Sequence, residues 1–311
     1  MSLTLPPSAA TGRDPATFSG YDQDHPSRKG FFTDTSVCIG CKACEVACKT
    51  WNDVPEDGIS LLGSSYDNTG ALGSDTWRHV AFIEQRVPSQ APAFDWPGAS
   101  DAGDRPVGDT AAVAVAGPMG RGTDGFRWLM SSDVCKHCTS AACLDVCPTG
   151  SLFRTEFGTV VVQQEICNGC GYCVPACPFG VIDQRKGDGR VWKCTLCYDR
   201  LKVGQHPACA QACPTESIQY GDLDELRTRA AGRLATLHAA GVDEAHLYLA
   251  DEDDGIGGAG AFFLLLDQPE VYRLPPDPVT TTRDLGGAWK SAGLAAISML
   301  AAVAAAFVKG G

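Results

Sequence analysis

The spacing of apolar and polar residues changes several times along the chain, and each change predicts an element. Thr76 to Arg86 (T-W-R-H-V-A-F-I-E-Q-R) alternates with a period of two and predicts a strand. Gly158 to Val162 (G-T-V-V-V) predicts a second, short one. After residue 222 the period lengthens. Leu223, Leu226, Ala230, Leu234 and Leu237 step by three or four along one face of a helix, a stripe suited to packing on a sheet. Asp222 and Glu225 stand at N-cap and N3 spacing, a capping box with Asp in place of Ser or Thr. Gly241 supplies the stop. His246 to Ala250 and Ala261 to Leu266 predict two further strands about a Gly- and Asp-rich turn.

Other stretches lack such periodicity. Residues 1–30 are rich in Pro, Ser, Gly and Asp and predict a flexible arm without a signal peptide, having no basic start, apolar run or cleavage site. Residues 88–125, dominated by Pro, Gly, Ala, Ser and Asp, predict a surface insertion with no chemistry assigned. Residues 267–287, with Pro269, Pro275, Pro276 and Pro278, predict an extended linker. No charged residue then lies between Lys290 and Lys309, a run of the roughly 17–25 residues needed to span a bilayer. Small residues (Ala292, Ala295, Ala296, Ser298, Ala302) would let it pack against other membrane helices. Residues 288–309 therefore predict a transmembrane anchor, with a buried or amphipathic helix as the alternative. The flanking lysines balance and give no orientation.

Composition narrows the function. A net charge of −12 leaves no basic face for nucleic acid, and 35 Gly with 19 Pro suit a loop-rich body. The sixteen cysteines decide the chemistry. They fall in four groups: Cys38, Cys41, Cys44, Cys48; Cys135, Cys138, Cys143, Cys147; Cys167, Cys170, Cys173, Cys177; and Cys194, Cys197, Cys209, Cys213. The last three groups end in Cys-Pro, whereas Lys49 follows the first. A disulfide framework is implausible for such clustering, and the first and third groups carry the C-x2-C-x2-C-x3-C spacing of cubane iron–sulfur ligands. The fourth group, taken by itself, could also be read as zinc ligands, which come as two C-x-x-C-like pairs, and a zinc-binding structural module is the further alternative for the chain.

In this spacing three thiolates take three corners of one cube, and the fourth cysteine ligates the paired cluster. Four groups then make two pairs: two ferredoxin-like units and four [4Fe–4S] clusters. Groups two and three, adjacent in sequence, form one unit, and groups one and four close around it as the other. A cubane held by four cysteines offers substrate no open iron, and no glycine-rich phosphate motif precedes a helix. The six histidines show no paired spacing for haem or a di-iron site. The chain thus has no catalytic site of its own and reads as a conduit for electrons. Lys42, Lys136 and Lys193, beside ligand cysteines, either raise local potentials or are simply solvated.

These residues resemble the four-cluster iron–sulfur (beta) subunits of membrane-bound molybdenum oxidoreductases, and most nearly those of respiratory formate dehydrogenase. The resemblance rests on C-I-G-C-K-A-C-E-V-A-C-K-T-W-N at Cys38 to Asn52, C-N-G-C-G-Y-C-V-P-A-C-P-F at Cys167 to Phe179, and V-W-K-C-T-L-C-Y-D-R at Val191 to Arg200. It extends to D-Q-P-E-V-Y-R-L-P-P-D-P at Asp267 to Pro278 and to the Trp289–Lys290 pair that opens the last helix. Subunits of dimethyl sulfoxide, polysulfide and nitrate reductases share the cysteines and supply the alternative function.

The resemblance implies four ligand sets. The first cluster would take Cys38, Cys41, Cys44 and Cys213, and the second Cys194, Cys197, Cys209 and Cys48. The third would take Cys135, Cys138, Cys143 and Cys177, and the fourth Cys167, Cys170, Cys173 and Cys147. It also implies a molybdopterin-containing (or tungsten) catalytic alpha subunit, a membrane cytochrome b gamma subunit that passes electrons to quinone, and export bound to the catalytic subunit. The expected architecture is α+β. Residues 31–87 and 190–266 form one ferredoxin-like unit intertwined in sequence with a second at 126–189. The C-terminal helix enters the lipid bilayer, with the cluster body on the extracytoplasmic side.

Overall fold

The computed structural model describes residues 27–58, 66, 67, 69–86 and 126–309. Residues 1–26 of the expected arm at 1–30 and the whole expected insertion at 88–125 lie outside the described residues, while Lys29 and Gly30, expected at the end of the arm, instead open a strand. In chain order the elements are β1 (Lys29–Asp34), α1 (Ala43–Trp51), β2 (Arg78–Arg86), β3 (Phe126–Val134), α2 (Ala142–Asp145), β4 (Leu152–Arg154), β5 (Val160–Val162), α3 (Cys173–Ala176), β6 (Asp183–Gln184) and β7 (Val191–Trp192). There follow α4 (Tyr198–Lys202), α5 (Ala208–Gln211), β8 (Ile218–Asp222), α6 (Leu223–Ala239), β9 (His246–Tyr248), β10 (Ala261–Leu265) and α7 (Leu285–Lys309).

A four-stranded sheet in the order β8-β1-β10-β9 joins the beginning of the described chain to its later part. β1 runs parallel to β10 and antiparallel to β8. Both faces of this sheet are covered, because successive side chains of a strand point to opposite sides. Phe32 packs on the side of α6 with Leu223, Leu226, Ala230 and Leu237. Its neighbour Phe31 packs on the other side among Cys44, Cys48, Cys194 and Cys209. Fully burying either ring is worth roughly 1.5–3 kcal/mol, so one strand ties a purely apolar core to a thiol-lined one. β2 and β3 form a long antiparallel pair from Arg78↔Val134 to Arg86↔Phe126. A third core, around Leu152, Val160, Ile182 and Val191, supports the second and third cysteine groups.

The predicted helix forms as α6, with one difference at its start. Asp222 occupies the N-cap position, but its side chain makes no cap bond. The antiparallel register sets Lys29 opposite Asp222, and the carboxylate accepts from Lys29 Nζ at 2.8 Å and from the Ser27 hydroxyl. A charged donor outcompetes a neutral backbone N–H for that oxygen. The far end closes as a Schellman motif: Gly241, at φ +79°, donates to His238 O at 2.9 Å, and Val242 to Leu237 O at 3.0 Å.

The stretch 267–287 is more structured than an extended linker. Pro269–Tyr272 make a 3-10 turn, and Pro269, Tyr272 and Leu274 are buried. Thr281 Oγ1 donates to Ala176 O at 2.9 Å and Thr282 Oγ1 to Asp145 Oδ2 at 2.6 Å, which pins the root of α7 to α3 and α2. α7 begins at Leu285 rather than 288. Its Leu285–Phe307 portion is long and apolar enough to cross a membrane, and none of that apolar stretch is buried against the rest of the chain.

Candidate metal-cluster sites

The four groups share one backbone turn. The residue before the second cysteine has positive φ in each: Gly40 (+65°), His137 (+46°), Gly169 (+69°) and Leu196 (+57°). Glycine adopts this freely, whereas His137 and Leu196 bear a cost of roughly 1–2 kcal/mol. Both are almost wholly buried, so packing holds them there. The turn aims successive N–H groups into a concavity, a backbone nest suited to anions and to iron–sulfur sites. Leu196 N donates to Cys194 Sγ at 3.3 Å, and the Gly40 N–H bonds Cys38 in the same way.

Short helices position the remaining thiols. Cys44 and Cys48 sit one turn apart on α1, and both are buried. Cys143, Cys173 and Cys209 ride on α2, α3 and α5, with Cys147, Cys177 and Cys213 just past their ends. Where those three groups have Pro, α1 continues to Trp51, and Lys49 Nζ reaches Pro55 O at 2.9 Å, Asp75 O at 2.6 Å and Asp57 Oδ2 at 3.0 Å.

All sixteen cysteines are free of disulfides, and the fold gathers fifteen of them into four neighbourhoods. Cys38 lies near Cys44 and Cys213, and Cys48 near Cys194, Cys209 and Cys197. Cys138 lies near Cys135, Cys143 and Cys177, and Cys173 near Cys147, Cys170 and Cys167. Each neighbourhood mixes thiols of one group with a thiol from another. Cys41, the remaining member of the first group, is exposed. The neighbourhoods also meet in succession, through Cys44 with Cys209, Cys194 with Cys135, and Cys143 with Cys173.

Burial pushes the Cys38 and Cys44 thiols up to about 11, and the Cys143, Cys173 and Cys194 thiols up to about 12. Such thiols do not ionise unaided at neutral pH, and a metal that displaces the proton offsets that cost. Cys147 differs. Desolvation raises it, but bonds from Ser151, Thr149 and the Leu152 amide outweigh that and bring it down to about 7.

The donor set fits cubane clusters. A single zinc ion draws its thiolates to about 2.3 Å of one point, and among the described residues no three His, Cys, Asp or Glu side chains are so arranged. A cube spreads its four thiolates over separate corners. Cys135, Cys138, Cys143 and Cys177 together line one enclosed cavity, with Lys136 and Lys193 in its wall.

Of the three lysines singled out in the sequence, two are buried. Lys193 (2% exposed) donates to Cys135 Sγ at 3.6 Å, to Cys194 O at 2.9 Å and to Val160 O. Lys136 (0% exposed) is paired with Asp133 and Val134 O and lies over the rings of Phe179 and Phe263. Lys42 faces Glu45 and Asp67 instead of a thiol. The sequence reading missed two polar groups. Asn52 Nδ2 stands 3.7 Å from both Cys48 Sγ and Cys197 Sγ. Arg78 (2% exposed) is buried among Cys209, Cys44, Cys194 and Cys48. The signal for Arg78 was its place in the β2 alternation, on the same face as buried Val80.

Comparison with known proteins agrees with this chemistry. Two families described as "4Fe-4S dicluster domain" match residues 37–151 and 126–223. The formate dehydrogenase iron–sulfur subunit of Haemophilus influenzae is 35% identical over 275 residues, covering 87% of this chain and 75% of that protein. The formate dehydrogenase-O iron–sulfur subunit of Escherichia coli is 34% identical over 304 residues, covering 96% of this chain and 87% of that protein. A subunit of the anaerobic dimethyl sulfoxide reductase of Escherichia coli is 32% identical over 201 residues, or 64% of this chain and 76% of its own length. Two dicluster domains and sixteen cysteines fit four [4Fe–4S] clusters. By the extent and identity of these matches, the chain belongs to the family of formate dehydrogenase iron–sulfur subunits.

Proposed function

We propose that this chain carries electrons from formate oxidation, at a molybdenum- or tungsten-pterin catalytic subunit, to a membrane cytochrome b and quinone. The observation that carries the reading is the succession of thiol neighbourhoods, which runs from exposed Cys41 to exposed Cys170. In this reading Cys38, Cys41, Cys44 and Cys213 hold the first cluster, and Cys194, Cys197, Cys209 and Cys48 the second. Cys135, Cys138, Cys143 and Cys177 hold the third, and Cys167, Cys170, Cys173 and Cys147 the fourth. When bound, each cluster supplies a one-electron site without open iron. The protein's part is to keep water away, to aim N–H groups and side-chain donors at the thiolates, and to set each potential through charge and burial.

The two ends suit subunit contacts. Ile39 (43% exposed) and Val46 (64%) surround one end, and Ile166 (43%) and Tyr172 (63%) the other. The root of α7 is bonded to α3, the helix that begins with Cys173. That favours the Cys170 end as the one facing the membrane partner and the Cys41 end as the one facing the catalytic subunit. α7 anchors the chain in lipid, and the family resemblance favours a cluster body on the extracytoplasmic side.

The test is purification from native membranes in mild detergent. A pterin-containing subunit and a b-type cytochrome should co-purify with this chain. Recovery with a sulfoxide, nitrate or sulfur-compound reductase subunit in their place would contradict the formate assignment.

A further inference from the structure

Arg78 is a permanent cation with almost no access to water, and the described protein gives it no counter-anion. Its Nη1 donates to Ser132 O at 3.3 Å and Ser132 Oγ at 3.1 Å. Its guanidinium carbon lies 4.8 Å from the centre of the Phe31 ring. Nε and Nη2 are buried without an oxygen or nitrogen partner, and the Cys209 thiol is the group placed to accept from the guanidinium. Among the described residues no carboxylate forms an ion pair with it, and the groups whose negative charge would act on it most strongly are the thiols of Cys209, Cys44, Cys194 and Cys48. A buried cation so placed is strongly unfavourable unless an anion faces it.

The four thiols belong to two neighbourhoods: Cys44 to the first, and Cys48, Cys194 and Cys209 to the second. We infer that Arg78 is the shared counter-charge of the first two clusters, holding both at more positive potentials than the same thiolate sets would give without it. The inference rests on the ligand sets proposed above. A cluster that takes up one electron gains one negative charge, and the guanidinium, which stays protonated, favours that reduced form by its field alone, with no proton moved. The guanidinium also offers charge-assisted hydrogen bonds to sulfur, and the Cys209 thiol is positioned to accept one. Ser132 fixes the arrangement, since its hydroxyl contacts both Arg78 and Cys44 Sγ, the latter at 3.3 Å. Arg78 is thus a positioning residue for charge at the junction between two relay stations.

The experiment is a redox titration of the whole membrane complex followed by electron paramagnetic resonance, with Arg78→Gln, Arg78→Met and Arg78→Lys beside the unaltered protein. The unaltered complex must show four clusters, and failure there overturns the functional reading rather than this inference. In the two neutral variants, two of the four midpoint potentials should shift to more negative values while the other two stay in place. Arg78→Lys should shift the same two less. Four unmoved potentials, or four that move together, would overturn the inference. Arg78→Met leaves no buried donor unpaired and serves if Arg78→Gln does not assemble. If only Arg78→Lys assembles with four clusters, the requirement for charge stands. If none of the three does, the guanidinium's shape and not its charge is what the fold needs, and the inference falls.

Discussion

Asp67 shows how charge is managed just outside the thiols. Its carboxylate, 6% exposed, accepts from His79 Nε2 at 2.8 Å, from Thr69 N at 3.1 Å and from Gly70 N at 3.3 Å, with Lys42 Nζ at 3.6 Å. Burial alone would raise its pKa, but the His79 bond and the backbone bonds outweigh that and hold the carboxyl well below the usual range. A carboxylate depressed on folding stabilises the native state above its unfolded pKa, about 4, and that contribution is lost as pH falls toward the folded value. Asp67→Asn should therefore lower the melting temperature at pH 7, by the equivalent of about 1–3 kcal/mol. The deficit should be constant from pH 8 to 5 and narrow only below about pH 4. A deficit that vanished between pH 8 and 6 would contradict this account. At this scale the sequence spoke unevenly. The cysteines announce their chemistry by spacing. Arg78 and Ser132 do not, and Asn52 does so only toward its near neighbour Cys48, because Cys197, Cys44 and the Arg78–Ser132 pairing lie about 50 to 150 residues apart in sequence and only the fold brings them together.

Among the elements, the turn before each second cysteine governs the thiol geometry. Gly169 combines φ +69° with crowding: a Cβ there would stand 2.5 Å from Gly189 O. Gly180 has a similar φ of +62° but open space around it. Gly169→Ala should therefore remove the signal of the cluster proposed at Cys167, Cys170, Cys173 and Cys147 and leave three others. Gly180→Ala should keep all four at a cost of roughly 1–2 kcal/mol. Equal behaviour of the two variants, read by iron content and paramagnetic resonance, would contradict the role given to this turn. The longer elements were legible because periodicity reports burial, as β2 and α6 show. The equivalent turns at His137 and Leu196 were not, because neither residue type advertises positive φ. The Asp222 cap failed for a tertiary reason, since β1 delivers Lys29 to the same oxygen.

At the scale of the molecule, three cores divide the work. One is apolar, beneath α6, and two are lined by thiols, with β1 shared between the first pair. The pairing of early and late strands in one sheet explains how cysteine groups far apart in sequence become neighbours. The fourth-cysteine rule leads one to expect an exchange of ligands between groups, but nothing in the cysteine spacing points to the strands that bring early and late groups together. In the proposed function the whole molecule is a relay of four clusters filled by formate. The most direct measurement is a paramagnetic-resonance redox titration of the native complex with formate as reductant, with iron and acid-labile sulfide assayed on the same sample. Formate-dependent signals from four interacting [4Fe–4S] clusters are expected, with non-haem iron and acid-labile sulfide in equal amounts. Zinc without acid-labile sulfide, or clusters that formate leaves oxidised, would contradict it.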